Sequence, residues 1–523
     1  MRFHMSQAIL VYACLLGCTL GAMPASAADG ALDPSLDPPL GTSPYFGVPG
    51  LFTFRINLGG AAPYINNDYV AATAVQVDGK ILAAGFSWNT YLGVDQNACV
   101  LTRFNADGTL DSGFGGVAHG RIVVNFNPAS GENDCYLSAI ALQGDGRIVV
   151  AGNLTDASHG ERGVVFRYNA DGSPDNAFNN GGSGNHVIAG NNSAFSSVVI
   201  DTDGTILTAG HSIQGGQSDE NFFLEAWAGN NGNAKYWDWQ AFNLGADHDD
   251  RAFAMVLQHG VCTGQCVLPI DVLYLVGSAN NTVYADGLAN HDCAIAAYAH
   301  NPFIPGSKFE SYTLFNGSGH ATIDFPVGGT GEGDNICRAA VGRPGYGVIV
   351  GGENYYIAPG NPPGLASLYA LAEVALNGSV TRQDSFAFFQ LLPTPGIFNG
   401  IFGMAHEPNG KLLVTGYAGT SDANHQPADA GVIRFNDDFS RDTSFGDTGA
   451  GSVTLSLDGL GGLFLHQREW ATALALDNRG HVVVAGERSL LYPGNDYDWL
   501  VGRLTTSDEI FRDSYDGVVP PVE

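Results

Sequence analysis

KILAAG at residues 80–85 is the first of seven similar runs. The others are RIVVAG closing on Gly152, TILTAG on Gly210, LYLVG on Gly277, VIVGG on Gly352, KLLVTG on Gly416 and HVVVAG on Gly486. The closing glycines stand 58 to 75 residues apart. A unit of that length, with a strand pair around a tight turn in each copy, marks a β-propeller or array. The expected fold is all-β: a single propeller of seven four-stranded blades.

The fullest copy runs from Val70 to Phe126. It reads AATAVQ, the turn Asp78-Gly79, KILAAG, a polar loop, CVLTRFN, the turn NADGTLDSGFGG and RIVVNF. The second copy, Leu137 to Ile188, keeps that order. Asp-Gly between two apolar runs is a strong hairpin signal, read here as a two-residue turn with positive φ at both positions. Small residues in the first strand (Ala71, Ala72 and Ala74; Ser138, Ala139 and Ala141) suit the crowded innermost place. The repeats are placed at about 67–127, 134–190, 192–245, 249–319, 331–393, 398–459 and 466–517. The seventh lacks a last strand. Residues 51–58 (LFTFRINL) read as that missing strand, so the N-terminal side is expected to close the last blade of a propeller spanning 51–523.

Arg103, Asn105, Asp107, Gly108, Asp111, Phe114 and Gly115, with the hairpin before them, resemble the bacterial delta-60 repeat family. Arg167, Asn169, Asp171, Gly172, Asp175 and Phe178 repeat the pattern, as do Arg434, Asn436, Asp442, Phe445 and Gly446. The copy around Arg503 and Asp513 is weaker, and copies three to five keep only the strand pair. The resemblance implies a propeller and no particular activity.

Residues 1–27 read as a secretory signal: Arg2, an apolar core from Ile9 to Leu20, then Ala25-Ser26-Ala27. The lipobox-like Leu15-Leu16-Gly17-Cys18 ranks below that cleavage site, so lipid anchoring at Cys18 is the lesser expectation. Residues 28–50 form an extension ahead of the fold. No later run is apolar enough to cross a bilayer. The chain is thus expected to be exported, to the periplasm or beyond. Its 22 basic and 52 acidic residues give a net charge of −30, which argues against nucleic acid as a partner.

Cys14 and Cys18 fall in the signal, leaving six cysteines. Cys99 and Cys293 open equivalent third strands, and Cys135 and Cys337 stand just before the first strand of the following blade. The expected disulfides are Cys99–Cys135 and Cys293–Cys337, with Cys262–Cys266 as a local staple. A Cys-x3-Cys zinc site lacks two further soft ligands nearby.

No cofactor is required by the sequence. Calcium is the one ion its Asn-x-Asp-Gly-x-x-Asp turns leave open, and these turns lack the terminal glutamate of an EF-hand. Self-bonding turn chemistry and a repeated Arg–Asp lock on the outer hairpin account for them more simply. A site should lie where copies differ, on the face carrying the loops after each second strand. The candidate ligand-binding residues there are Trp88, Tyr91, His211, Glu353, Tyr355, Tyr356, Tyr417 and Glu487. Aromatic faces beside polar groups suit a carbohydrate or peptide. The diverged sector with His211, Glu353, Tyr355 and Tyr356 is expected to contribute more binding energy than the regular blades one and two.

No His-Glu-x-x-His or phosphate loop is present, and only His211, Glu353 and Glu487 stand as a conceivable base or metal trio. The leading expectation is therefore an exported binding or scaffolding protein. The alternative is a propeller hydrolase or lyase acting on a polysaccharide or lactone.

Overall fold

The computed structural model describes residues 29–506, apart from 41–43, 57, 59–66, 117–119, 127–131, 157–159, 182–183, 214–218, 243–248, 263–268, 284–288, 305, 326–333, 359–363, 387–396, 421–427, 447–448, 458–467 and 491–495. The expected signal at 1–27, Cys266 and Asp513 lie outside the described residues. Among those described, the elements are strands, and they form seven antiparallel sheets.

Blade one comprises Asp68–Val75, Ile81–Tyr91, Val94–Phe104 and Arg121–Val124, hydrogen-bonded in chain order from the inside outwards. Blade two is Glu132–Leu142, Ile148–Asp156, Gly160–Tyr168 and His186–Asn191. Blade three is Ser193–Ile200, Ile206–Ile213, Glu220–Trp227 and Ala234–Gln240. Blade four is Arg251–Val261, Ile270–Val283 and Ala289–His300, with Glu310–Ser311 and His320–Ile323 sharing the outer place. It therefore runs past the expected limit of residue 319, because a turn-rich excursion precedes its main outer strand. Blade five is Asp334–Arg343, Gly347–Ala358, Gly364–Ala375 and Val380–Phe386. Blade six is Ile397–His406, Leu412–Thr420, Ala428–Phe435 and Ser452–Leu455.

Blade seven has Arg468–Leu476, Val482–Leu490 and Asp496–Leu504, then borrows Leu51–Phe54 as its fourth strand and Tyr45–Val48 as a fifth. The borrowed strand is shorter than the expected 51–58. Arg55 turns aside to Asp498 (2.9 Å), and the Ile56 N–H donates to Asp68 Oδ2 (2.8 Å) on blade one.

Seven apolar clusters fill the seven joints between neighbouring blades. Strand periodicity sets this up, since successive side chains leave opposite faces. Val482 and Val484 pack towards blade six, whereas Val483 and Ala485 pack towards blade one. Both faces of each middle strand are buried, so these strands read as unbroken apolar runs.

The seven glycines have a common cause. Every inner strand bulges at one place: between Val70 and Ala72, Leu137 and Ala139, Phe195 and Ser197, Ala252 and Ala254, Cys337 and Ala339, Ile401 and Gly403, and Ala471 and Ala473. A Cβ on Gly85 would overlap the Tyr69 carbonyl oxygen beside the bulge, and each of the other six meets the equivalent carbonyl. Close approach, rather than a turn, demands glycine there.

The hairpin turns differ from the two-residue form expected. At the first, Gly79 alone has a positive φ of 81° and Gln76 N–H bonds to the Lys80 carbonyl (2.9 Å). Asp78 instead accepts from the Lys80 N–H (3.2 Å), which gives a turn followed by a glycine bulge.

The Arg–Asp signature is a clamp between blades. Arg103 Nε bonds Asp111 (2.9 Å), its guanidinium lies 4.4 Å from the Phe114 ring centre, and Nη1 reaches the Ala170 carbonyl on blade two. Arg167 repeats this with Asp175 (2.9 Å), Phe178 (4.6 Å) and the Gly229 carbonyl on blade three. Arg434 holds Asp442 (2.7 Å) and Phe445 (4.7 Å) and reaches Asp29.

The last clamp uses the N-terminal segment. Arg503 takes Asp33 (2.6 Å), and its Nη1 meets the Ala106 carbonyl on blade one (2.7 Å). Asp33 N–H bonds the Arg503 carbonyl (2.8 Å), as Asp111 N–H bonds that of Arg103 (3.0 Å). Residues 29–36 (DGALDPSL) thus supply blade seven with the DGTLDSGF element that follows Phe104 in blade one. The extension is part of the ring.

Disulfides Cys99–Cys135 and Cys293–Cys337 cross the joints of blades one and two and of blades four and five. Cys262 is also disulfide-bonded; the expected partner, Cys266, lies outside the described residues. The disulfides suggest an oxidising compartment. No helix among the described residues is long and apolar enough to cross a membrane.

Candidate functional site at the propeller mouth

The bulge leaves one residue per inner strand without a ladder partner: Ala71, Ser138, Ser196, Phe253, Arg338, Phe402 and Thr472. Six of them stand fourteen residues before their marker glycine; in blade four the insert around Cys262 lengthens the interval. That fixed offset was the available signal for these positions. Three successive bulge residues stack, with the Arg338 guanidinium carbon 5.2 Å from the ring centres of both Phe253 and Phe402.

Arg338 Nε donates to Glu353 Oε2 (2.8 Å), and the Tyr417 hydroxyl donates to Glu353 Oε1 (3.1 Å). Tyr355 joins the set, hydrogen-bonded to Tyr417 and Glu353. Glu353 is 1 % exposed, so its charge is met inside the protein. Burial alone would lower the Arg338 pKa, but the Glu353 carboxylate outweighs it and holds the guanidinium above its ordinary value. Burial and the same carboxylate push Tyr355 up to about 12 and Tyr417 higher still. Neither phenol ionises at neutral pH.

An aromatic arc continues from this cluster around the mouth. Phe402 and Tyr417 are 5.7 Å apart, and Tyr417 and Trp470 6.2 Å apart. Beyond Trp470, Tyr497 stacks on Tyr69 (4.9 Å), Tyr69 on Phe86 (4.7 Å), and Phe86 meets Tyr136 edge-on (4.8 Å). These seven rings are half-buried and come from blades six, seven, one and two. Glu487 lies across the ladder from Trp470 and beside Tyr69. Burial pushes its carboxyl up to about 8.

The other side of the mouth is ionic. Asn153 donates to Glu161 Oε1 (2.7 Å), His211 Nε2 lies 3.3 Å from Glu161 Oε2 and 3.7 Å from Glu220 Oε1, and Arg251 Nη2 bonds Glu220 (2.8 Å).

Of the expected site residues, Glu353, Tyr355 and Tyr417 come together. His211 belongs to the ionic arc and Glu487 to the aromatic one, so the conceivable trio is spread over three separate sets. Tyr356 is a correction: it leaves the opposite face of its strand from Glu353 and Tyr355 and is buried against Ala366 and Leu368. Trp88 and Tyr91, three residues apart on one strand, also leave opposite faces, so they do not form one platform. Tyr69, Tyr136, Phe253, Arg338, Phe402 and Trp470 were not among the expected site residues; all lie on inner strands, not on the loops after the marker glycines.

A family model described as "Domain of unknown function (DUF5122) beta-propeller" matches residues 76–114 and 143–178, and it supports a β-propeller family. No curated protein matches the chain. Among solved structures, a protein of unknown function from Dyadobacter fermentans is 11% identical with a TM-score of 0.36, covering 74% of this chain and 97% of its own. The β-propeller domain of the trilobed protease from Pyrococcus furiosus is 6% identical with a TM-score of 0.36, covering 85% of this chain and 97% of its own. A polysaccharide lyase, Uly1, is 9% identical with a TM-score of 0.40, covering 85% and 90%.

Proposed function

We propose that the protein is an exported binding module of the delta-60 repeat type that takes a carbohydrate or peptide ligand at the propeller mouth, without chemical turnover. The observation that carries this reading is the arc of half-buried rings Phe402, Tyr417, Trp470, Tyr497, Tyr69, Phe86 and Tyr136 across four blades. Ring faces stack on sugar rings or apolar side chains at little entropic cost. Arg338 at the end of the arc and the His211 set across the mouth supply polar partners. Both Glu353 oxygens are already engaged, Oε2 by Arg338 and Oε1 by Tyr417.

The test is saturable binding to glycan and peptide libraries. The double variant Tyr69→Ala/Phe86→Ala is expected to weaken the best ligand more than tenfold, and Trp88→Ala/Tyr91→Ala less than threefold. The reverse order, or no saturable binding by the parent protein, overturns the reading.

One observation favours catalysis instead. A carboxyl with its pKa raised to about 8 is protonated at neutral pH, as a general acid must be. In that reading Glu487 protonates a leaving group in hydrolysis or elimination on a polysaccharide or lactone. Turnover abolished by Glu487→Gln with ligand binding retained would establish it.

A further inference from the structure

Away from the mouth, at the joint of blades three and four, two aspartates and two histidines meet. Asp201 comes from the turn between the first two strands of blade three. His259, Asp271 and His300 come from the adjacent strand ends of blade four. These ends lie opposite the loops that follow the marker glycines. His300 Nε2 lies 3.5 Å from Asp201 Oδ2 and 3.4 Å from Asp271 Oδ2, and His259 Nδ1 lies 3.0 Å from Asp271 Oδ2 and 4.0 Å from Asp201 Oδ1. We propose that these four side chains form a binding site for a divalent transition metal of the zinc class, which fastens blade three to blade four.

Donor spacing supports the assignment. Zinc binds histidine nitrogen and carboxylate oxygen at about 2.0–2.2 Å in a tetrahedron, so neighbouring donors stand roughly 3.3–3.6 Å apart. The two His300 distances fall in that range. Ligand atoms of Asp201, Asp271 and His300 all lie within 4.8 Å of one another. The His300 side chain is 10 % exposed, and its buried Nε2 makes no hydrogen bond while facing both carboxylates. Two nearly buried carboxylates side by side are costly unless a cation compensates them. The mixed nitrogen and oxygen set selects zinc-like ions over calcium, which takes six or more oxygens.

The surroundings hold the donors in place. Gly260 N–H donates to Asp271 Oδ1 (2.9 Å) and Thr202 N–H to Asp201 Oδ1 (2.7 Å), which leaves both Oδ2 atoms facing His300. Such outer partners orient metal ligands. Phe309 packs on the His300 ring at 4.2 Å. A cavity of about 530 Å³ lined by His300, Asn301, Ser307 and Glu310 opens beside the cluster and offers an entry path. Blade three has also lost the Arg–Asp–Phe signature that clamps blade two to blade three, so an ion here would supply a link between blades by other means.

The experiment uses the full chain, stripped with chelator and titrated with Zn²⁺ and, separately, Co²⁺. One equivalent of zinc is expected to bind and to raise the melting temperature, with a hundredfold excess of Ca²⁺ failing to displace it. Co²⁺ should give the visible absorption of a tetrahedral site. His300→Ala and Asp271→Asn should abolish stoichiometric binding. The half-exposed His259→Ala, which leaves the buried packing intact, should weaken it at least tenfold and shift the cobalt spectrum. Absence of stoichiometric binding by the parent chain overturns the proposal. So does binding unchanged in His259→Ala and in whichever buried variant folds.

Discussion

Glu487 is buried against Tyr69 and Trp470, and its folded-state pKa of about 8 lies well above the ordinary carboxylate value. The folded chain keeps a proton that the unfolded chain releases above pH 4.5, so stability falls as pH rises from about 5 to 8. Glu225, pushed to about 7 by burial, adds to the same trend. Glu487→Gln removes its share: its melting temperature should match the parent near pH 5 and exceed it by a few degrees at pH 8, read by calorimetry across pH. Asp442 acts in the opposite sense. Burial would raise its pKa, but hydrogen bonds from Lys411 and Ser444 and the Arg434 charge hold it below the ordinary value. Its contribution is present at neutral pH and is lost on acidification below about pH 4.

Among the elements, the signature turn has the clearest energetic role. Arg167 is fully buried, bound to Asp175 and to a carbonyl on the next blade. Removing one partner of a buried pair costs about 3–5 kcal/mol because the other charge is left unmet. Arg167→Met should therefore lower unfolding free energy in denaturant titration, by at most about that amount, because Arg147 still lies 3.3 Å from Asp175. Lys235→Ala, which breaks an exposed pair with Asp203, should cost under about 1 kcal/mol. The N-terminal segment is a larger case of the same clamp. Deleting residues 29–54 removes the fourth and fifth strands of blade seven together with Asp33 and Leu36. The truncated chain should expose the edge of Asp496–Leu504 and aggregate, as size-exclusion chromatography would reveal.

For the whole molecule, closure distributes stability around the ring, and the Cys99–Cys135 and Cys293–Cys337 disulfides act across joints rather than within blades. They close spans of 36 and 44 residues, each worth about 4 kcal/mol in the chain-entropy account. Replacing both pairs with serine should lower the melting temperature by more than either pair alone, with little change in the strand signature of circular dichroism. The net charge of −30 is a property of the same scale. It leaves Arg338 and Arg251 as cations in a strongly negative molecule, which suits recognition at short range rather than long-range attraction of anions.

The seven-bladed architecture was legible from repeated glycines and hairpin turns because local backbone demands recur once per blade. The cysteine pairs were legible for the same reason: equivalent positions in equivalent blades come close. The N-terminal DGALDPSL was not recognised as blade seven's missing turn, because its partner Arg503 is 470 residues away and only ring closure joins them. The mouth was legible only in part. Residues after the marker glycines could be named, yet which of them meet depends on neighbouring blades. Strand alternation separates Tyr356 from Tyr355, and an unpaired bulge residue carries Arg338 between two phenylalanines. The sequence by itself determined the repeated unit, since each blade obeys short-range rules. Only the tertiary structure decided the sites, because each is assembled from single residues on different blades, and no local pattern records their distances.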